Sequence, residues 1–457
     1  MKKIEKRAIM CLLLACVLLV GVGVFSYRYI TLGDDWASYE GNRDVYSDGD
    51  LAKGALYDTN GNLLMQNTSS GMVFNSDSTI RKALMHITGD KDNNISTGAN
   101  RAFTDELIGY DFINGVYSVT NDGRDVTLTL DADVCAVAYN ALSGRNGTVG
   151  VYNYKTGDII CMVSSPTYDP EDPPSSPEDG AYINRFTSAT FVPGSIFKLV
   201  TAAASIENLD DAYTYTVNCT GSVDYGGGYS LTCTSAHGTV DLEKALEVSC
   251  NCYFGQLTEK LGSTLLEKYV NKAGLMNSYD INGIKTTPSS FSFPDSGLNL
   301  AWTGIGQWED LVNPCAMMVY MGAIANDGEA VHPNLIESTS STLDQLFDRI
   351  PLLNRLTSTV TNKTTSMIES STASSLKTMM ANNVVSHYGS SNFPGLNICA
   401  KSGTAEVGDS NTPHAWFAGF LDDDENPYAF IVLVENGGSG ANVAGAVANT
   451  VLQSIVD

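Results

Sequence analysis

The chain has 457 residues, 43% of them apolar, and carries 26 Lys and Arg against 51 Asp and Glu, for a net charge of −25. A balance this acidic excludes a nucleic-acid binder, which needs a basic surface to displace counterions from phosphates. The apolar content, with 22 Tyr and 15 Phe spread along the chain, excludes an acidic disordered segment and allows a large core in two or three domains.

Residues 1–7 form a basic tail, Met-Lys-Lys-Ile-Glu-Lys-Arg, ahead of an apolar run from Ala8 to Phe25. That run, 8–25, is about long enough to span a bilayer. Basic residues before it and a long acidic chain after it orient the tail to the cytoplasm and the remainder outside. The run exceeds the roughly 7–15 residues of a signal-peptide core and lacks a small-x-small exit site, which favours an uncleaved anchor over a cleaved signal. Residues 28–120 are rich in Asp, Asn, Gly and Ser and break into short alternating segments with no sustained helix, the pattern of a small, mostly β unit.

Residues 121–457 read as one larger domain, with strands expected near 126–165. Pro193-Gly194 then forms a turn feeding a buried helix that begins at Ser195-Ile-Phe-Lys198. A long helical region runs from Asp241 past Lys260, interrupted near Ser249. Strands return at 396–401, 415–420 and 428–435, so the domain is α/β (α+β), an antiparallel sheet packed by helices.

Of the ten cysteines, Cys11 and Cys16 lie in the apolar run, and Cys135, Cys161, Cys315 and Cys399 sit where a small buried hydrophobe suffices. Cys219 and Cys233 flank a glycine-rich excursion and are candidates for a loop-closing disulfide, with two free thiols as the alternative. Cys250-Asn251-Cys252 is too tight for a zinc pair with no second pair or histidine cluster nearby in sequence, so neither a metal site nor a cofactor is expected.

Three strings carry the chemistry: Ser195-Ile-Phe-Lys198, Ser249-Cys250-Asn251 and Lys401-Ser402-Gly403. A serine hydroxyl is a weak nucleophile at neutral pH and needs a base in reach and a stabiliser for the oxyanion. The i to i+3 spacing puts Ser195 and Lys198 on one helical face. Burial and the charge of Lys401 would lower the pKa of Lys198 enough for it to act as that base. None of the strings is specific alone, because Ser374-Ser375-Leu376-Lys377, Ser390-Ser391-Asn392 and Lys155-Thr156-Gly157 repeat their patterns elsewhere in the chain.

In order and surroundings the three strings resemble the S-x-x-K, S-x-N and K-T/S-G signature of penicillin-binding proteins and their β-lactamase cousins. Asn184-Arg185-Phe186, Phe191-Val192-Pro193-Gly194 before the serine, Gly304-Ile305-Gly306-Gln307 and His414-Ala415-Trp416-Phe417 are similar to family landmarks, and the match spans about 120–457. Lys53-Gly54-Ala55-Leu56-Tyr57-Asp58-Thr59-Asn60-Gly61 resembles the string opening the non-catalytic pedestal of the monofunctional (class B) members, with Lys53 and Thr59 departing from it.

The resemblance implies a transpeptidase fold behind one transmembrane helix and a pedestal. It implies a D,D-transpeptidase that cross-links peptidoglycan stem peptides through a Ser195 acyl-enzyme and is acylated by β-lactams. Lys198 would be the base, Ser249 a proton relay and Asn251 a holder of Lys198 and substrate. Lys401 would supply positive field, Ser402, Gly403 and Thr404 would bind substrate, and the backbone N–H groups of Ser195 and Thr404 would form the oxyanion hole. Glu406, His414 and Arg185 read as structural, and Trp302, Trp308 and Trp416 as packing. A hydrolase using the same serine and a non-enzymatic β-lactam receptor or scaffold are the competing classes. A membrane glycosyltransferase is the implied partner, and the domain would lie on the extracytoplasmic side of the cell membrane.

Overall fold

The computed structural model describes residues 2–37, 53–68, 70–108, 110–111, 116–117, 123–339, 364–408 and 412–456. The amino-terminal run is one helix, Lys2–Ala37. Its segment Met10–Arg28 is long and apolar enough to cross a membrane.

The main sheet has five antiparallel strands in the spatial order Ile398–Ala405, His414–Leu421, Tyr428–Val434, Gly147–Asn153, Ile159–Ser165. Its inner strands are buried along almost their whole length, so both faces are covered. Helices Ala132–Leu142, Pro314–Ala325 and Gly445–Val456 do the covering. Pro314–Ala325 is apolar all round and wholly buried, and its start is set by Pro314 and by Asn313, whose side chain accepts from the Ala316 N–H. Among the described residues Ile398–Ala405 has a sheet neighbour on one side only, so it is an edge strand.

A second five-stranded sheet runs Ile336–Thr339, Val126–Leu128, Ala55–Tyr57, Leu63–Thr68, Gly71–Phe74. Leu56 pairs in parallel with Val126, and Ile336 pairs antiparallel with Leu128. This sheet takes strands from both sides of the expected 120/121 boundary. The expectation that 28–120 holds no sustained helix is corrected by Ser78–Thr88. Its eleven residues are strongly amphipathic, and Asp77 caps it by accepting from the Thr79 N–H, so one apolar face and one cap suffice where composition suggested only turns.

Candidate active site

Ser195 sits in the 3-10 turn Gly194–Ile196, which leads into helix Lys198–Asn208. Gly194 has φ 57°, and a Cβ there would stand 3.0 Å from the Thr404 carbonyl oxygen. Its N–H donates to the Gly306 carbonyl at 2.8 Å. Gly306, φ 76°, approaches so closely that a Cβ on it would lie 2.3 Å from the Gly194 oxygen. The serine turn is thus wedged between the 304–307 loop and the edge strand, and only glycine fits at both contacts.

Lys198 is fully buried. Its Nζ donates to the Ser249 carbonyl at 2.7 Å, to Ser249 Oγ at 3.2 Å and to Asn251 Oδ1 at 2.7 Å. Lys401, also fully buried, donates to the same Ser249 Oγ at 3.1 Å and to the Ser402 carbonyl at 2.9 Å. One hydroxyl oxygen therefore accepts from both lysines, which leaves its own proton free to point elsewhere. Burial lowers the Lys198 pKa to about 8. Lys401 falls well below its ordinary value through burial and then through the charge of Lys198.

Ser249 separates helices Leu242–Glu247 and Asn251–Leu261 and has φ 54°, a left-handed conformation uncommon for a residue with a side chain. That kink turns its carbonyl onto Lys198 and restarts the helix at Asn251. Asn251 is held on a second side by Nδ2 donating to the Thr232 carbonyl at 2.9 Å.

Lys401, Ser402, Gly403 and Thr404 lie on the edge strand, paired in register with Ala418, Phe417, Trp416 and Ala415. A Cβ on Gly403 would meet the Pro193 carbonyl at 3.0 Å, so the strand lies hard against the turn before the serine. A cavity of about 510 Å³ opens along this seam, lined by Ser195, Ser249, Asn251, Ser402 and Thr404 among others. The seven residues singled out from the three strings, with Thr404, thus meet in one place, and the two lysines are buried behind the cavity wall. Serine, buried amines, a bridging hydroxyl and an open strand edge suit acyl transfer to and from an extended peptide.

The repeated patterns fall elsewhere. Lys155 lies in the turn after Gly147–Asn153 and donates to Asn326, and Lys377 pairs with Asp422. Ser390–Asn392 is a short 3-10 turn. Arg185 braces its loop through Glu435 at 2.5 Å and the Gly180 carbonyl, and His414 Nδ1 accepts from the Asn436 N–H. Trp416 is buried with Nε1 donating to the Val192 carbonyl, whereas Trp302 and Glu406 line the cavity. Sequence reasoning missed Tyr388, whose hydroxyl accepts the Ser402 N–H at 2.8 Å, and His387, which lines the cavity. Neither belongs to a motif. An aromatic pair ahead of an apolar strand carries no signal of its own.

The cysteine expectations need correction. Cys219 and Cys233 are free thiols and meet the His237 ring, which approaches Cys233 Sγ at 3.4 Å and Cys219 Sγ at 3.7 Å. Cys250 joins them, with Cys233 Sγ 3.9 Å from Cys250 Sγ. The histidine and further thiols that appeared missing around Cys250 are thus supplied from residues 13 to 31 positions upstream, carried there by the pairing of Gly238 with Cys219.

The fold and this site together define a penicillin-binding-protein transpeptidase. Residues 147–456, more than half of the chain, match the penicillin-binding-protein transpeptidase domain, and the chain belongs to that family. Its relatives place it with the monofunctional, class B members. Peptidoglycan D,D-transpeptidase PbpA of Mycobacterium tuberculosis (strain H37Rv) is 29% identical over 372 residues, covering 73% of this chain and 72% of that protein. Penicillin-binding protein 3 of Bacillus subtilis (strain 168) is 26% identical over 336 residues, covering 68% of this chain and 48% of that one. The solved penicillin G acyl-enzyme of penicillin-binding protein A from M. tuberculosis superimposes with a TM-score of 0.71 at 25% identity, over 89% of this chain and 100% of that chain.

Proposed function

We propose that the chain is a peptidoglycan D,D-transpeptidase that works through an acyl-enzyme on Ser195. The observation that carries this reading is the Ser249 hydroxyl held between two buried lysines beside the Ser195 turn. Neutral Lys198 takes the Ser195 proton as Oγ attacks the carbonyl between the two terminal D-alanines of a stem peptide. The N–H groups of Ser195 and Thr404 receive the oxyanion. The C–N bond then breaks, Ser249 passes a proton to the leaving D-alanine amine, and Lys198 makes good that proton. An acceptor amine attacks the ester, forms the cross-link and returns the proton to Ser195.

Ser402 and Thr404 hold the substrate carboxylate, Lys401 supplies positive field from behind them, and the strand edge pairs with the substrate backbone. Met10–Arg28 anchors the chain in the membrane, with the basic tail in the cytoplasm and the catalytic domain outside. A membrane glycosyltransferase that makes the glycan strands is its partner in this reading.

Full-length protein in detergent, incubated with a fluorescent penicillin, is expected to give a stable covalent adduct that Ser195→Ala abolishes. Absence of the wild-type adduct would remove the enzyme reading. Turnover within seconds would identify a hydrolase with water as acceptor.

A further inference from the structure

The cluster behind Asn251 has a geometry that acyl transfer does not use. Cys219 ends strand Val217–Cys219, Cys233 follows strand Ser230–Thr232, His237 precedes strand Gly238–Val240, and Cys250 immediately precedes helix Asn251–Leu261. Three sulfurs and one ring nitrogen from these four places all lie within 4.8 Å of one another. A tetrahedral zinc ion, with bonds of about 2.3 Å to sulfur and about 2.0 Å to nitrogen, holds its sulfurs about 3.8 Å apart and sulfur and nitrogen about 3.5 Å apart. The observed separations are 3.9 Å between Cys233 and Cys250 and 3.4 and 3.7 Å from His237 Nδ1 to Cys233 and Cys219. A disulfide would join two of these sulfurs at about 2.05 Å and leave the third thiol and the imidazole converging on nothing.

We propose that Cys219, Cys233, His237 and Cys250 bind one zinc ion in a closed structural site that pins the Ser249–Asn251 turn. Three thiols with one imidazole form a soft donor set that suits zinc over magnesium or calcium, and loading releases the three thiol protons to solvent. The site has an outer support as well, since the Asn251 N–H donates to Cys233 Sγ at 3.2 Å. Cys250 lies between the two motif residues Ser249 and Asn251, so fixing its sulfur fixes the strained turn that presents both to Lys198. His237 also lines the active cavity, so the ion would stiffen one of its walls. This inference stands whether the acyl acceptor is an amine or water.

The test is metal analysis of the full-length protein, purified in detergent under reducing conditions without chelator. About one zinc per chain is expected. The Cys233→Ser/His237→Ala double variant should lose most of it, and Cys315→Ala, outside the cluster, should keep it. Should the double variant fail to fold, the wild type decides. Zinc removed by a chelator should lower the thermal midpoint, added Zn²⁺ but not Mg²⁺ should restore it, and Co²⁺ should give the sulfur-to-cobalt absorption of a tetrahedral thiolate site. No co-purified zinc together with no cobalt spectrum, or a Cys219–Cys233 disulfide in the non-reduced peptide map, overturns the proposal. Penicillin labelling of the same samples reports Ser195 separately.

Discussion

Lys198 and Lys401 share one hydroxyl in a buried space, and burial disfavours the ammonium form of each. A lysine at about 8 is mostly protonated at pH 6 and mostly neutral at pH 9. As the base must be neutral, the rate of acylation by a chromogenic β-lactam is expected to rise roughly tenfold per pH unit below about 8 and to level off above. A rate constant flat from pH 6 to 9 would rule out Lys198 as the base. The spacing of Ser195 and Lys198 was legible because helical geometry is local. The bonds that aim the lysine come from residues 51 and 53 positions away, and no local pattern announces them.

At the scale of elements, the serine turn is held by backbone against backbone. Ala at Gly306 would take a left-handed φ and place its Cβ 2.3 Å from the Gly194 oxygen and 2.7 Å from Phe197 Cβ. Gly395, with φ 78°, has open space around it and serves as a control. Gly395→Ala should cost only the conformational strain of about 1–2 kcal/mol. Gly306→Ala should cost more and also slow penicillin acylation by roughly 100-fold, as the turn shifts on the order of 1 Å. Stopped-flow labelling of the two variants separates these outcomes, and equal rates would show that the wedge does not position Ser195.

Helix Ser78–Thr88 carries a second liability. His86 is buried, its Nε2 lies 2.9 Å from the Ala181 carbonyl, and its Nδ1 has no hydrogen-bond partner among the described residues. Burial lowers its pKa to about 4, against 6.5 unfolded. The unfolded chain therefore binds the proton more readily, and stability is full above pH 6.5 and falls as the pH drops toward 4, by about 3 kcal/mol from this group. Chemical denaturation of His86→Gln should show a shallower decline over that window. An unchanged slope would mean that other groups carry the acid sensitivity.

The described residues are tied together across the two five-stranded sheets. The smaller sheet interleaves Ala55–Tyr57 with Val126–Leu128 and Ile336–Thr339. Arg81 on the helix Ser78–Thr88 makes a bidentate pair with Asp169, at 2.7 and 2.6 Å, with both side chains largely buried. Strand pairing of this kind is expected to make the residues on the two sides of the 120/121 boundary unfold as one. Calorimetry should show a single transition, and Arg81→Ala should lower its midpoint through a loss of about 1–3 kcal/mol. Two resolved transitions would mean that the parts are independent.

By itself the sequence determined the apolar amino-terminal span, the antiparallel character of the main sheet and the candidate acyl-transfer residues. Each of these rests on periodicity or on motifs whose members are close in sequence. The tertiary structure decided that the three strings meet in one place while their repeats at Lys155, Lys377 and Ser390 lie elsewhere. Tertiary contacts also decided that one serine hydroxyl serves both lysines and that a strand edge lies open beside it. The cysteines show the reason most plainly. Cys219, Cys233, His237 and Cys250 look scattered along the chain, and strand pairing with a helix start brings their donor atoms to within 4.8 Å of one another.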